Sequence, residues 1–478
     1  MDARIRRANL YNALLCTFLV GVAYMEFIIA LPTLAKDLKT DLVGMSWAVI
    51  AYQIATISLS LVFGRIGDLY SRHGVFMLGV LIFTAASLFC GFSQTVFQLS
   101  VFRFFQGMGG AMCQAQGRVL AMEAGEDFGA GKAQAYVTTA WFAGFLLGPT
   151  LGGWIIDHIH WRMTFFVLVP IGVFSLCASW RYRDVNRAGV APVSARPPPT
   201  IDYGGIFFLL GATMSLIVLL DRRIMEVIAA ERRYWLVIGL VGCSAAFLWR
   251  ERTAESPILD LALFKIRMFS LSTVSLLFVS VGMTAIWFVL PFYLQEVLLL
   301  SPSFIGLLFI SGPFLSMTVS PLGGHMADRL GARLPATAGA ALLAAGSVLG
   351  AAFGAHSHWL WPAAMVAICG LGLAFFYPAN HLAMIGSVPK EHRGMATGTI
   401  FMTFGLGSAL GISLGSFLMT TAFRLYSGDF GATPSPEDPT SFVAAVNATF
   451  GGIFAASLVG LVSSALRGSV MGQHSNRA

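Results

Sequence analysis

Fourteen separate apolar runs, most of them long enough to cross a bilayer, leave this chain few ways to fold. A hydrocarbon core of ~30 Å takes about 20 helical residues. Runs of that order recur at roughly 10–31, 45–66, 75–94, 97–120, 133–156, 162–180, 204–221, 233–249, 268–294, 302–322, 334–354, 360–385, 395–422 and 444–466. Of the 478 residues, 56% are hydrophobic and 11% charged, where a soluble protein has about a quarter charged. A mean hydropathy of +0.75 requires many segments in lipid, not one buried core. The expected class is an all-α integral membrane protein with about fourteen transmembrane helices. The 51 glycines suit helices whose backbones approach closely.

The first run follows Arg4, Arg6 and Arg7, as a signal peptide would. It is too long for a secretory h-region of about 7–15 residues and carries Glu26 in its middle, so it reads as a retained first span. The net charge of +7 does not point to nucleic acid, because the basic residues sit in short clusters between apolar runs, the pattern of topogenic loops. With the N-terminus inside, 20 lysines and arginines fall on inner loops and ends and 8 on outer ones, Arg103 and Arg118 lying within a helix. That asymmetry, with an even number of spans, predicts both termini in the cytoplasm. Cys16, Cys90, Cys113, Cys177, Cys243 and Cys369 all lie in apolar runs without a CxxC pair, and read as small buried residues.

Polar inner linkers at 181–203, which contains Pro197, Pro198 and Pro199, and at 250–267 divide the chain. The expected organisation is an N-terminal six-helix half (1–180), an extra helix pair (204–249) and a C-terminal six-helix half (268–478). The halves echo one another. Gly64-Arg-Ile-Gly-Asp68-Leu-Tyr-Ser-Arg72 follows the second helix, and Gly324-His-Met-Ala-Asp328-Arg329-Leu-Gly-Ala-Arg333 follows the tenth. Repeated six-helix halves are a common transporter plan, with the solute site at their interface.

These residues carry a resemblance. The loop 64–72 resembles the signature between helices two and three of the major facilitator superfamily. Arg103-Phe-Phe-Gln106-Gly107-Met-Gly109-Gly110-Ala111 resembles its helix-four motif. Gly144-Phe-Leu-Leu-Gly148-Pro149-Thr-Leu-Gly152-Gly153 resembles the helix-five motif of drug:proton antiporters. Trp161-Arg162, Val169-Pro170-Ile-Gly172, Asp202-Tyr-Gly-Gly205 and Pro291-Phe-Tyr-Leu-Gln295 are similar to the fourteen-helix branch, the EmrB/QacA type. The resemblance implies a major facilitator fold and proton-coupled efflux of drugs or other amphipathic small molecules by alternating access, in a cell membrane (the inner one if the envelope is Gram-negative). It also leaves room for a periplasmic adaptor, which no loop identifies.

The residues have physical roles of their own. Asp68 can pair with Arg72 or sit at a helix N-terminus, contacts that form in one conformation and break in another; the bland alternative is a solvated loop pair. Arg103, Gln106, Gly107, Gly110 and Gln114 share one helix face. An arginine in a span faces a partner or a wet cavity, unless it snorkels to the interface. Glu26 is the one carboxylate deep in an assigned span. It lies ~24 Å from the inner end of its helix and Arg103 ~21 Å from the inner surface, so the two could meet. Burial disfavours the charge of a carboxyl and a nearby guanidinium favours it, which suits a proton carrier; a structural salt bridge is the alternative. The resemblance does not supply Glu26, because the usual helix-one acid falls at Ala23.

Gly144, Gly148 and Gly152 form a small-residue stripe around Pro149, for close packing or a conformational seal. Tyr52, Gln53, Gln106, Gln114, Asn380 and His381 are candidates to line the solute path, and His381 and Asp157 are further candidates for the proton. Arg118 and Glu123 read as interfacial, and Asn447 as incidental at a helix start. No P-loop and no metal-ligand spacing is present, so the expected protein is not an enzyme and uses no cofactor or metal. Two other functions stay open: an importer or facilitator of the same fold, and a membrane sensor or scaffold that moves nothing. Intramembrane Glu26 and Arg103 weigh against the last.

Overall fold

The structure, a computed structural model, describes residues 3–40, 42–181, 201–221, 224, 225, 228, 230–429 and 439–468. Most of the linker at 181–203 and much of the loop between the last two helices lie outside them. The described residues form fourteen long helices. They are α1 (Ala3–Asp37), α2 (Leu42–Leu69), α3 (Arg72–Phe92), α4 (Val96–Ala124), α5 (Ala130–His158), α6 (Arg162–Arg181), α7 (Tyr203–Leu220), α8 (Ala230–Thr253), α9 (Arg267–Phe292), α10 (Pro302–Leu330), α11 (Arg333–Gly350), α12 (Leu360–Gly386), α13 (Arg393–Ser427) and α14 (Pro439–Leu466). Every apolar run has become one helix. Several outrun their apolar stretch: α1 has 35 residues, about 50 Å of helix, so its ends pass beyond a ~30 Å hydrocarbon core.

Eleven of these helices are long and apolar enough to cross a membrane. The other three are α4, α8 and α11. Polar groups account for the difference. Arg103, Arg118 and several glutamines interrupt α4, charged residues at both ends leave α8 a short apolar middle, and α11 is an 18-residue helix that opens on Arg333. Helix starts are set locally. Ser71, Thr95, Asp202 and Ser301 each accept a backbone N–H from the first turn of α3, α4, α7 and α10, satisfying donors that helix geometry leaves open.

The chain divides into two compact units. The first comprises residues 1–266 together with 384–402, so it holds α1–α8 and the first turns of α13. One end of it is tied by the Trp161-Arg162 pair. Trp161 Nε1 donates to Asp37 at 2.8 Å, and Arg162 donates to the carbonyls of Gly91 and Ser93 at 2.9 and 2.6 Å, which joins α1, α3 and α6. Phe27, Leu34, Trp161 and Phe165 form the apolar core behind that tie. Towards the other end, Asn12 donates to the Ser175 carbonyl at 3.1 Å and His73 bonds the Ser179 carbonyl at 3.1 Å.

The second unit comprises residues 267–383 and 403–478. Here Ser275 donates to the Gly460 carbonyl at 2.8 Å and Thr337 bonds Ser464 at 3.1 Å, locking α14 to α9 and α11. The Pro291-Phe-Tyr-Leu-Gln295 segment leaves α9 through a π turn, Tyr293–Val297. There Tyr293 stacks on Phe353 at 4.7 Å and donates to Gly354. Asn447 sits well inside α14 and donates to the Phe353 carbonyl at 2.9 Å, so it closes that corner. The cysteines are not uniformly buried: Cys177 is exposed and Cys243 half-buried, the latter with its sulfur against Gly211 of α7.

Candidate functional site

Asp68 stands where α2 ends, and its side chain is completely buried. It meets two kinds of partner at once. Arg72, one turn on at the start of α3, bonds its Oδ1 at 2.9 Å through Nη2. The first turn of α13 supplies the others: Gly394 N–H donates to Oδ1 at 2.9 Å and Met395 N–H to Oδ2 at 2.8 Å. The N-terminus of a helix presents such unpaired donors and the positive end of its dipole. Arg72 extends the knot by bonding Glu123 of α4 at 2.6 Å and the Lys390 carbonyl.

Glycines make the contact possible. A Cβ on Gly64 would strike the Gly394 backbone, and a Cβ on Gly398 would come within 2.5 Å of the Leu61 Cα and the Ser60 carbonyl. The two helices therefore touch backbone to backbone. Sequence reasoning found Gly64, Asp68 and Arg72 but missed Gly394, Met395 and Gly398. The Gly394-Met-Ala-Thr-Gly398 spacing, a small-residue stripe at i and i+4, was the available signal. Arg118 is a correction. It is buried, only 4% exposed, with its guanidinium 5.3 Å from the Phe401 ring and 3.4 Å from Gln134 Oε1. A position near a helix end does not make a residue interfacial when α5 and α13 cover it.

Glu26 and Arg103 lie deeper in the same unit, each 2% exposed. They are within electrostatic reach of one another but form no ion pair. Arg103 lies instead between two rings, 3.9 Å from the Phe27 centroid and 4.2 Å from that of Tyr52, and donates to Gln106 at 2.7 Å. Gln106 passes the interaction on to Ser87 of α3 at 2.8 Å. Neighbouring helix positions point about 100° apart, so Phe27, not Glu26, faces the guanidinium. Among the described residues, Glu26 Oε1 has no hydrogen-bond partner.

The α5 stripe lies along the Glu26 helix. A Cβ on Gly144 would meet Val22 N at 2.9 Å, one on Gly148 would meet the Val22 carbonyl at 2.9 Å, and one on Gly152 would meet Glu26 Cβ at 3.0 Å. Pro149 lies between them inside α5. Gly153 stands apart, since nothing lies within 4 Å of the Cβ it lacks. On α4, Gly107 abuts the Tyr52 carbonyl, and Gly110 faces the Tyr52 hydroxyl and Val20. Gln114 accepts from Thr17 at 3.3 Å, and half-buried Gln53 lies beside Tyr24.

The remaining expected residues lie in the second unit. Asn380 is buried at a structural junction: it donates to the Ser272 carbonyl at 3.3 Å and accepts from Arg467 at 2.8 Å. His381 stacks on Tyr377 at 5.5 Å. Asp328 is half-buried and Arg329 exposed at the end of α10. No group of three or more histidines, cysteines or acids able to hold a metal occurs among the described residues.

A family model described as Major Facilitator Superfamily matches residues 13–249 and 272–467. The uncharacterized transporter YebQ of Escherichia coli is 29% identical over 394 residues, 82% of this chain and 84% of that one. The multidrug transporter protein MdtP of Bacillus subtilis is 26% identical over 393 residues, 80% and 70% of the two chains. Among solved structures, the human organic anion transporter MFSD10 (TETRAN) superposes with a TM-score of 0.65 over 96% of this chain and 99% of that one. At 14% identity the likeness is one of fold.

Proposed function

We propose a transport mechanism from an established premise: the chain belongs to the Major Facilitator Superfamily, and it is a multi-pass membrane transporter of small molecules, not an enzyme. On our reading all fourteen helices cross the membrane in a six, two, six arrangement of the fourteen-helix drug:proton antiporter type. Both termini and the Asp68 end of the first unit then face the cytoplasm, as the distribution of lysines and arginines favours. The transporter exports drugs or other amphipathic molecules in exchange for protons.

The observation that carries this reading is the state of Glu26. It is a buried carboxyl in a span, with Oε1 unbonded among the described residues and no ion pair to Arg103. It can therefore take up or release a proton without first breaking a salt bridge. Gly152 of the α5 stripe packs against its Cα and Cβ, so a movement of α5 along α1 changes its surroundings. That links the proton to a conformational change, which is the requirement for antiport. Arg103 supplies a fixed positive charge nearby, and Tyr52, Gln53, Gln106 and Gln114 add polar groups along the same helices.

The test is proton-gradient-driven transport of a lipophilic cation in proteoliposomes with wild type, Glu26→Gln and Glu26→Asp. The Gln variant should lose uphill transport and keep downhill exchange, and the Asp variant should keep part of both. Uphill transport by the Gln variant with the wild-type pH dependence would remove Glu26 from the proton path.

A further inference from the structure

The start of α7 and the end of α8 hold a cluster that the transport reading does not use. Asp202 caps α7 by accepting the Gly205 N–H at 3.1 Å, and Arg250 donates to the same oxygen, Oδ1, at 2.9 Å. Its other oxygen, Oδ2, has no hydrogen-bond partner among the described residues. Glu251, the residue after Arg250, is in the same position. Its Oε2 accepts the Leu259 N–H at 2.9 Å, while Oε1 has no partner among the described residues. The two side chains belong to residues only 6% and 5% exposed. Their unpartnered oxygens border one space: a Cβ on Gly205 would lie 2.9 Å from Asp202 Oδ2 and 3.2 Å from Glu251 Oε1. That is what the second glycine of Asp202-Tyr-Gly-Gly205 makes room for.

Two buried carboxylates facing one space repel one another, and a proton on one relieves the repulsion. The charged groups around Glu251 are Asp202 at the start of α7, Arg65 of α2, Asp260 in the following loop and Arg250 on its own helix. Burial pushes Glu251 up to about 7, with Asp202 adding to the rise, while the Leu259 and Ile258 N–H groups and Arg65 act the other way.

The cluster is joined to the α2–α13 contact by a short strap. Leu259 is held by Glu251, and the next residue, Asp260, donates its N–H to Met395 Sδ at 3.1 Å. Met395 is the residue whose own N–H donates to Asp68 at 2.8 Å. We propose that Glu251, beside Asp202, is a proton-binding site at the root of the inserted helix pair, and that its occupancy sets how firmly the strap Leu259–Asp260 holds Met395 at Asp68. Loss of the proton leaves a second buried negative charge beside Asp202, a cost that outweighs the stronger bond from Leu259 N–H to the charged carboxylate and is relieved when the cluster and its strap open. This site is separate from Glu26 and does not depend on the export reading.

The sign of the pH effect follows from the position of Glu251. Its folded value lies above its unfolded one, so the stability of the cluster is complete below about pH 4.5, falls as pH rises towards 7 and is level above. The experiment uses the full chain purified in detergent and needs no transport. Melting temperature is followed from pH 5 to 8.5 for wild type, Glu251→Gln and Asp202→Asn. Amide exchange of residues 259–262, corrected for intrinsic rates, is followed over the same range. Glu251→Gln should match wild type at pH 5 and exceed it by about 2 °C or more above pH 7.5. Asp202→Asn should move the wild-type transition to lower pH. Wild-type exchange at 259–262 should quicken severalfold between pH 6 and 8 and stay level in Glu251→Gln. Parallel melting profiles for wild type and Glu251→Gln would overturn the proton site. A flat wild-type exchange profile would overturn the strap, whether or not the variants fold.

Discussion

Asp68 closes the first turn of α13 by accepting the N–H of Met395 at 2.8 Å, a contact between residues 327 positions apart. Gly394 and Arg72 complete the set. Replacing Asp68 with Asn keeps the shape but puts an NH2 where one acceptor was and removes the charge. A charge-assisted hydrogen bond is worth about 1.5–3 kcal/mol, so the α2–α13 contact should lose roughly tenfold or more in population. Asp68→Asn is expected to fold and insert, and to transport at a tenth of the wild-type rate or less at matched expression. Normal rates would reduce Asp68 to a structural cap.

The glycines make a sharper test because geometry separates them. Gly64→Ala and Gly394→Ala each drive a methyl into backbone, and overpacking of that kind costs about 1–3 kcal/mol. Gly152→Ala sets a methyl 3.0 Å from Glu26 Cβ. Gly153→Ala meets nothing within 4 Å and improves helix propensity. Transport should fall severalfold in the first three and stay within about twofold of wild type in the last. Size-exclusion profiles of the purified variants check that each still folds. Equal losses at Gly152 and Gly153 would contradict this difference in packing.

Much of this was legible in the sequence, and the boundary has a physical cause. Helix positions follow from apolar runs, because lipid demands them locally. The Asp68–Arg72 pair follows from i, i+4 spacing. Its partners Gly394 and Met395 lie more than 320 residues on, and nothing local encodes which helix N-terminus will arrive. Depth placed Glu26 and Arg103 at one level, but rotation about the helix decides contact, and it turned Phe27 towards the guanidinium instead. Asn380 has the composition of a pathway residue, yet it bonds buried Arg467 from beyond the end of α14, a partner that hydropathy assigned to the terminus. The second glycine of Asp202-Tyr-Gly-Gly205 could be explained only when Glu251, 46 residues later, was found against it.

Membrane topology can be checked directly. Single cysteines at Ser194 and Ser435 of a cysteine-free variant, both outside the described residues, fall in loops that the fourteen-span reading puts on opposite sides. With an impermeant thiol reagent on intact cells, position 435 should label and position 194 should label only after permeabilisation. Labelling of both from outside would break the fourteen-span arrangement, and α4, α8 and α11, which are not among the eleven helices long and apolar enough to cross a membrane, would be the first helices to reconsider.

Arg103 is held by shape as well as by charge. Its guanidinium is flanked by Phe27 and Tyr52 and bonded to Gln106, a site that uses the plane of the group as much as its charge. Lysine keeps the charge but cannot stack as a plane or hold the same hydrogen-bond geometry, so Arg103→Lys should transport little better than Arg103→Ala. Tyr52 separates ring from hydroxyl. Its ring lies over the arginine, and its hydroxyl has no hydrogen-bond partner among the described residues. Tyr52→Phe keeps the cation–π contact and should transport within about twofold of wild type, whereas Tyr52→Leu loses a contact worth about 0.5–2 kcal/mol and should transport severalfold more slowly. The measurement is initial transport rate at matched protein level in proteoliposomes. A Tyr52→Phe variant as impaired as Tyr52→Leu would show that the hydroxyl itself meets the solute or the proton, and Tyr52 would then be a pathway residue and not only a support for Arg103.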